Sequence, residues 1–547
     1  MKRLSKKLAF TILSGFIIST NSAAQIQTGD TLHFWSVAYV DWQPNPQVPQ
    51  RLIAAVCSRI GDSCYVFLDT ALIQAPAPQQ LAALADTFDL NFARNLPPVY
   101  GPIPDEFDND RRIFILIIKP EGWSGYFDPA QQMADSQVFS LWGKHSSERE
   151  IVYLSPDAFW YNNAPFILAH EFGHLLHWGQ DHSPEPPANP VRFWEDAWID
   201  EGFAMFATVY LLEDLAIPDV MDYQAFFAVN PDISLIHFSD YNLAKLWLTF
   251  MYEQYGMPDF IEALIQDQAN GIPGVRNALA SLGYAETFEE AFEHWILANF
   301  LDDEQYQNGR YAYYHYNFPP CRLLRTHTTY PTGLQTGSLS SFAAEYIAFH
   351  AAAPSPVTIT FAGDSSSIFR LSAILLNAPA SEVHGIAVIP LDSLNRGVFH
   401  ADSFGVSYNQ IVLAAMNVDS ALGEGASAGY AYSADIGSGA AFGDRQDPAP
   451  LSFFLFQNYP NPFNSLTTIS YRLPPAGQTV TAEAELTVYD ILGQRVKTLL
   501  SGSMPAGSYR VQWDGRDENG NPLASGVYVY CLRARGLVQS KKMLLLR

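Results

Sequence analysis

A chain of 547 residues with 31 Lys and Arg against 56 Asp and Glu carries a formal charge of −25. That balance excludes partners that reward clustered basic residues, nucleic acid and anionic membrane surfaces foremost. Hydrophobic residues at 48% and aromatics at 14% exclude a disordered chain, and the length exceeds one core of ordinary size, so two to four folded units in series are expected.

Lys2, Arg3, Lys6 and Lys7 precede an apolar run from Leu8 to Ile18, and Ser22-Ala23-Ala24 follows with small residues at the cleavage positions. This is the pattern of an export signal over 1–24, with cleavage expected after Ala24, and the apolar run is short for spanning a bilayer. Losing four basic and no acidic residues moves the formal charge from −25 to −29. No later segment is long and apolar enough to span, so no membrane span is expected once the signal is removed. Four cysteines, Cys57, Cys64, Cys321 and Cys531, are too few for a disulfide framework. Cys57 and Cys64 are close enough to close a local loop, and the sequence leaves that pairing open.

From 25 to 320 strands come first and helices later. Ile113 to Ile118 reads as a buried strand after the turn-rich Asp105 to Arg112, and Glu150 to Leu154 as another. Helices are expected over Pro165 to Trp178, Asp196 to Leu212, Leu243 to Tyr255 before Gly256, and after Thr287, whose Thr-Phe-Glu-Glu290 fits a capping box. A strand-rich half followed by a helical half is an α+β arrangement. Residues 333–436 change to short runs such as Val357 to Phe361 and Ile411 to Ala415 between Gly, Ser, Asp and Pro, the pattern of a β-sandwich. Residues 437–450 read as a linker. Residues 451–547 read as a last β unit, with strands at Glu485 to Tyr489 and Tyr509 to Trp513 and a turn over Asp517 to Pro522.

His170-Glu-Phe-Gly-His174 matches H-E-x-x-H inside a segment that reads independently as a helix, with Asn163 to cap it, Pro165 in its first turn and Gly179 to end it. Four positions along a helix rise about 6 Å and rotate about 40°, so both imidazoles leave one face and can share a metal. Glu171 then lies beside the metal, where it can take a proton from a water whose pKa the metal lowers towards ~7. A catalytic zinc site needs a third protein ligand. The extension H-E-x-x-H-x-x-G-x-x-H fails, because His177 occupies its glycine position and Gln180 its last histidine position. Trp198-Ile-Asp-Glu-Gly-Phe-Ala204 supplies Glu201 instead, 27 positions after His174 and beyond a loop that turns the chain back. Gly202, costly by about 1 kcal/mol inside a helix, is understandable if this helix packs closely on the zinc helix.

These two segments together resemble the gluzincin metallopeptidases, and the layout from Gly29 to about Asp303 is most similar to the hyicolysin-type branch. The resemblance implies zinc held by His170, His174 and Glu201, Glu171 as general base and acid, and cleavage of peptide bonds in a protein or peptide substrate. The second segment also resembles membrane-alanyl-type aminopeptidases, but the chain has no Gly-x-Met-Glu-Asn motif, so an endopeptidase is expected. The oxyanion needs a further donor, for which Tyr241 is the first candidate and His237 the second. His177 lies too far along the helix to join both ligands and belongs around the site or in the core. His182, in the loop, replaces Glu201 only if that loop folds back. Asp200 or Asp196 can orient a ligating imidazole.

Two weaker patterns are set beside these. Asp105, Asp108 and Asp110 have the density of a calcium loop without an EF-hand register, so a solvated turn is expected. Gly425-Ala-Ser-Ala-Gly429 fits G-x-S-x-G around Ser427 but sits between two expected strands, not in the strand-turn-helix context of a serine hydrolase.

Phe456-Gln-Asn-Tyr-Pro-Asn-Pro-Phe-Asn464, Thr468 to Leu473, Tyr489-Asp-Ile-Leu-Gly493, Gly526 to Tyr530 and the basic ending with Lys541, Lys542 and Arg547 resemble the sorting domain of type IX secretion. That resemblance implies an Ig-like fold, the type IX secretion machinery as partner, and a secreted or cell-surface location. The competing reading of the whole chain is a zincin fold kept as an idle surface adhesin, against which the intact Glu171 argues.

Overall fold

The computed structural model describes residues 26–546 except 38–49, 106, 108–109, 119–123, 182–194, 213–231, 238–239, 315–320, 379–381, 437–453, 456–457, 459–460, 462, 465, 474–480, 506 and 535–536. The export signal and the linker lie outside the described residues.

Strands β1 (Thr31–Val37), β2 (Gln50–Ile60), β3 (Cys64–Asp69), β4 (Ile113–Ile117), β5 (Gly125–Phe127) and β6 (Ile151–Leu154) form one sheet. Their spatial order is β1-β2-β3-β4-β6-β5. β3, β4 and β6 run parallel, and the other neighbours pair antiparallel. β4 is apolar throughout because the sheet is covered on both faces. Ile113, Ile115 and Ile117 enter the helix-side core, whereas Phe114 and Leu116 join Phe34 and Phe67 on the far side. The same alternation puts Cys57 on the far face and Cys64 on the helix face, so both thiols are free and no loop-closing disulfide forms.

The longer helices are α1 (Pro78–Thr87), α2 (Asp135–Trp142), α3 (Ala164–Asp181), α4 (Ala197–Leu212), α5 (Tyr241–Gln254), α6 (Asp259–Ile265), α7 (Ile272–Ser281) and α8 (Phe288–Leu301). α4 is buried along nearly all its length and lies between α3 and α5. Thr287 caps α8 as expected, its hydroxyl accepting from Glu290 N–H at 3.2 Å and its own N–H donating to Glu290 Oε2 at 2.9 Å. Two expected end signals of α3 do not act as such. Asn163 Oδ1 is buried and accepts no hydrogen bond. Gly179 lies inside α3, where a Cβ would come 2.3 Å from Pro104 Cγ, so this glycine admits a crossing loop instead of ending the helix.

Nine strands follow: β7 (Leu323–His327), β8 (Gln335–Ser340), β9 (Ala343–His350), β10 (Val357–Gly363), β11 (Phe369–Asn377), β12 (Glu382–Val388), β13 (Arg396–Ala401), β14 (Gln410–Asn417) and β15 (Ser427–Ile436). They make two facing sheets, β13-β10-β15-β8 and β12-β11-β14-β9-β7. The sandwich starts at β7, ahead of the expected boundary at 333. The central strands β9, β11 and β14 of its five-stranded sheet are buried on both sides. Ile347, Leu371 and Leu413 fill the sandwich, while Tyr346, Ile374 and Val412 join the core of the helical region. Phe342 packs on Phe288 and Phe292 of α8 at ring distances of 4.9 and 5.2 Å, and Tyr346 OH donates to Ile296 O at 2.6 Å. Glu293 of α8 is buried and accepts from Arg370 Nε at 2.7 Å and from Ser372 Oγ at 2.5 Å. The sandwich and the helices share one core.

The last unit has its own core and two sheets, β16-β17-β20 and β19-β18-β21-β22. Its strands are β16 (Phe454–Leu455), β17 (Thr467–Leu473), β18 (Thr481–Tyr489), β19 (Arg495–Pro505), β20 (Gly507–Trp513), β21 (Gly526–Ala534) and β22 (Leu537–Leu545). The expected turn forms after β20, where Asp517 Oδ1 accepts from the N–H groups of Asn519 and Asn521. Among the described residues no helix is long and apolar enough to cross a membrane.

Candidate metal centre

α3 and α4 come unusually close at Gly173, where a Cβ would lie 2.9 Å from both Ala204 Cα and Ala207 Cβ. Only glycine allows that approach, and it sets Glu201 of α4 opposite the histidines of α3. Gly202 was expected to serve this contact, but it faces α5, with Ala244 O 3.4 Å from the position of its missing Cβ.

His170 Nε2 lies 3.3 Å and His174 Nε2 3.4 Å from Glu201 Oε2. One ligand atom from each of the three residues falls within 4.8 Å of the others, and no other such group of three is found among the described residues. Two donors bound at ~2.0–2.1 Å to one tetrahedral ion stand about 3.3–3.4 Å apart, so the spacing to Glu201 suits a shared metal. Glu201 Oε2 is buried without a hydrogen bond, an arrangement that is costly for a carboxylate unless a cation faces it.

Glu171 projects to the side of this group and is 6% exposed. The edge strand β5 passes over it: a Cβ on Gly125 would sit 3.2 Å from Glu171 Oε1 and 2.3 Å from Ile167 Cγ2. β5 pairs with β6 and is the last strand of its sheet. Burial pushes the Glu171 carboxyl up, against the opposing pull of His170 and His174. Burial acts the same way on Glu201, but His174 and His170 outweigh it and hold this carboxylate below its ordinary range. For His174 burial opposes protonation, while Asp200 and Glu201 more than reverse that and raise its pKa.

Asp200 lies one position before Glu201 and accepts from His174 Nδ1 at 3.2 Å and from His177 Nδ1 at 2.9 Å, both on Oδ1. Burial raises the Asp200 pKa, but His174 and His177 override it and leave this carboxylate ionised far below its usual range. Asp196, the alternative orienting residue, packs toward Gly271 instead, its Oδ2 1.9 Å from where a Cβ of that glycine would stand. Tyr241 opens α5 behind the cap Asp240, and its ring is 5.9 Å from that of His170. Burial, then Glu201 and Glu171, push its phenol well up. His237 lies ahead of α5, where its backbone N–H donates to Ser234 Oγ at 3.1 Å. His182 lies outside the described residues.

Asp110 accepts from Tyr65 OH at 2.5 Å and pairs with Arg112 at 3.1 Å, as suits a structural turn, and Asp108 lies outside the described residues. Ser427 opens β15 and pairs with Ser340 in β8, with no strand-turn-helix around it. Gly125 and Gly173 went unnoticed in the sequence. A glycine within the H-E-x-x-H helix was the available signal for the second, whereas β5 is too short for any periodicity.

Residues 467–535 match the FlgD Ig-like domain family. No curated protein matches the chain. Among solved structures, PorZ, a surface component of the type IX secretion system of Porphyromonas gingivalis, is 19% identical over 21% of this chain and 14% of its own, with a TM-score of 0.13. Dimeric latent PorU from Porphyromonas gingivalis is 13% identical over 36% and 18%, with a TM-score of 0.15. Tripeptidyl peptidase 2 is 6% identical over 43% and 31%, with a TM-score of 0.17. The chain thus spans between 14% and 31% of these proteins, and likeness this slight assigns neither fold nor function. What the comparisons do show is that residues 467–535, within the C-terminal unit, are similar to the FlgD Ig-like domain.

Proposed function

We propose that the protein is an exported zinc-dependent endopeptidase, with a zincin-type catalytic domain and a C-terminal unit that addresses it to type IX secretion. The observation that carries the reading is the buried Glu201 Oε2 facing His170 Nε2 at 3.3 Å and His174 Nε2 at 3.4 Å, with Glu171 beside them.

His170, His174 and Glu201 would hold the zinc, which when bound polarises the scissile carbonyl and lowers the pKa of water. Glu171 takes the proton of the attacking water and returns it to the leaving nitrogen. Tyr241, whose phenol burial keeps protonated and whose ring lies 5.9 Å from that of His170, would donate to the oxyanion. Asp200 accepts from His174 Nδ1, which leaves Nε2 directed at Glu201. An extended peptide added to the edge of β5 would carry its carbonyls past Glu171, using main-chain hydrogen bonds that suit many sequences. The absence of a Gly-x-Met-Glu-Asn segment favours internal cleavage. The signal-like N-terminus and the sorting-type segments of the C-terminal unit favour a secreted or cell-surface location.

Digestion of unfolded casein by the mature chain tests the reading. Activity is expected to vanish with a strong chelator, to return on adding zinc, and to ignore serine-directed reagents. Proteolysis that survives chelation and stops with a serine reagent would move the chemistry elsewhere.

A further inference from the structure

His177 is the one histidine of α3 that the proposed mechanism leaves without a task. It is 3% exposed, and its ring lies against Phe203 of α4 at 4.3 Å. Its Nδ1–H donates to the same Asp200 oxygen that serves His174, and at 2.9 Å against 3.2 Å it is the shorter of the two contacts. His177 does not belong to the group formed by His170, His174 and Glu201.

A carboxylate that orients a ligating imidazole works only if its own rotamer is fixed. Asp200 precedes Glu201 on the same helix, so any swing of Asp200 removes the acceptor from His174 and leaves that ring free to turn. We propose that His177 is a positioning residue that sets metal affinity through Asp200, holding the carboxylate in the rotamer that fixes His174. α3 then carries both a ligand and, three residues later, the clamp on that ligand's acceptor, with Asp200 of α4 between them. The inference rests on the zinc reading above and adds to it a residue outside the ligand set.

The test is zinc affinity of the mature full-length chain, read by competition with a chromophoric chelator at fixed pH, for wild type, His177→Phe, His177→Asn, Asp200→Asn and the His177→Phe/Asp200→Asn double variant. Phe keeps the ring against Phe203 but has no donor, whereas Asn places an N–H near the position of Nδ1. Zinc affinity is expected to fall about 10- to 100-fold in His177→Phe and to recover largely in His177→Asn. The double variant should bind zinc no more weakly than Asp200→Asn, since His177 acts through that carboxylate. Equal losses for Phe and Asn, additive losses in the double variant, or wild-type affinity in His177→Phe would each overturn the inference while leaving the zinc reading intact. A wild-type chain that binds no zinc overturns both. If His177→Phe does not fold, the comparison of His177→Asn with Asp200→Asn decides: weaker binding by the first than by the second contradicts the clamp.

Discussion

Replacing Glu171 by Gln is expected to lower kcat/KM on casein by about 10²- to 10⁴-fold while zinc still binds. Gln fills the same space beneath Gly125 and Ile167, where even a Cβ on the glycine would press on the carboxylate, so the fold around β5 and α3 has no reason to change. It cannot accept a proton. Glu171 lies outside the group of three that would hold the metal, so the variant separates binding from turnover. Proteolysis assays run beside metal analysis read both quantities from one preparation. Activity within tenfold of wild type would remove Glu171 from the mechanism, and loss of zinc together with activity would make it a ligand or a structural residue.

Ending the chain before β7 is expected to abolish folding of the catalytic region, although residues 323–436 contribute no residue to the proposed metal site. Phe288, Phe292 and Phe300 of α8 pack on Phe342 and Tyr346 of the sandwich. Uncovering these three rings alone costs on the order of 5 kcal/mol, comparable with the entire stability of a domain at ~5–15 kcal/mol. The damage reaches the site directly. Phe288 lies 5.7 Å from Trp198 and 5.3 Å from Trp247 in ring distance, and Trp198 stands on α4 three positions before Glu201. The truncated chain should be insoluble or lack a cooperative thermal transition. A chain ending near 436 should melt cooperatively, because the C-terminal unit has a separate core. A soluble fragment ending at 320 with the melting temperature of the longer chain would contradict the shared core.

The candidate site was more legible in the sequence than the packing around it. H-E-x-x-H on a periodic helix put His170, Glu171 and His174 on α3, and the Glu-Gly-Phe-Ala segment placed Glu201 on the next helix, because both patterns are local. Strands such as β14 were equally visible as apolar runs. What covered them was not: Ile411 to Ala415 shows no alternation because one face meets the sandwich core and the other the helical core, and that second partner lies far away in sequence. Long-range contacts likewise explain why Gly173 was missed and Gly179 misread, since they are set by Ala204 and Pro104, residues that no local pattern links to them. Cys57 and Cys64 looked pairable by spacing, and only the sheet's alternation separates them.

The proposed activity requires zinc held by the three residues whose donor atoms converge. Metal analysis of the mature chain, beside His174→Ala and Glu201→Ala, is the direct measurement. About one zinc per chain is expected in wild type and almost none in either variant after dialysis, since each removes one of only three protein ligands. A wild-type chain without zinc, or a Glu201→Ala variant that retains it at wild-type affinity, would contradict the site.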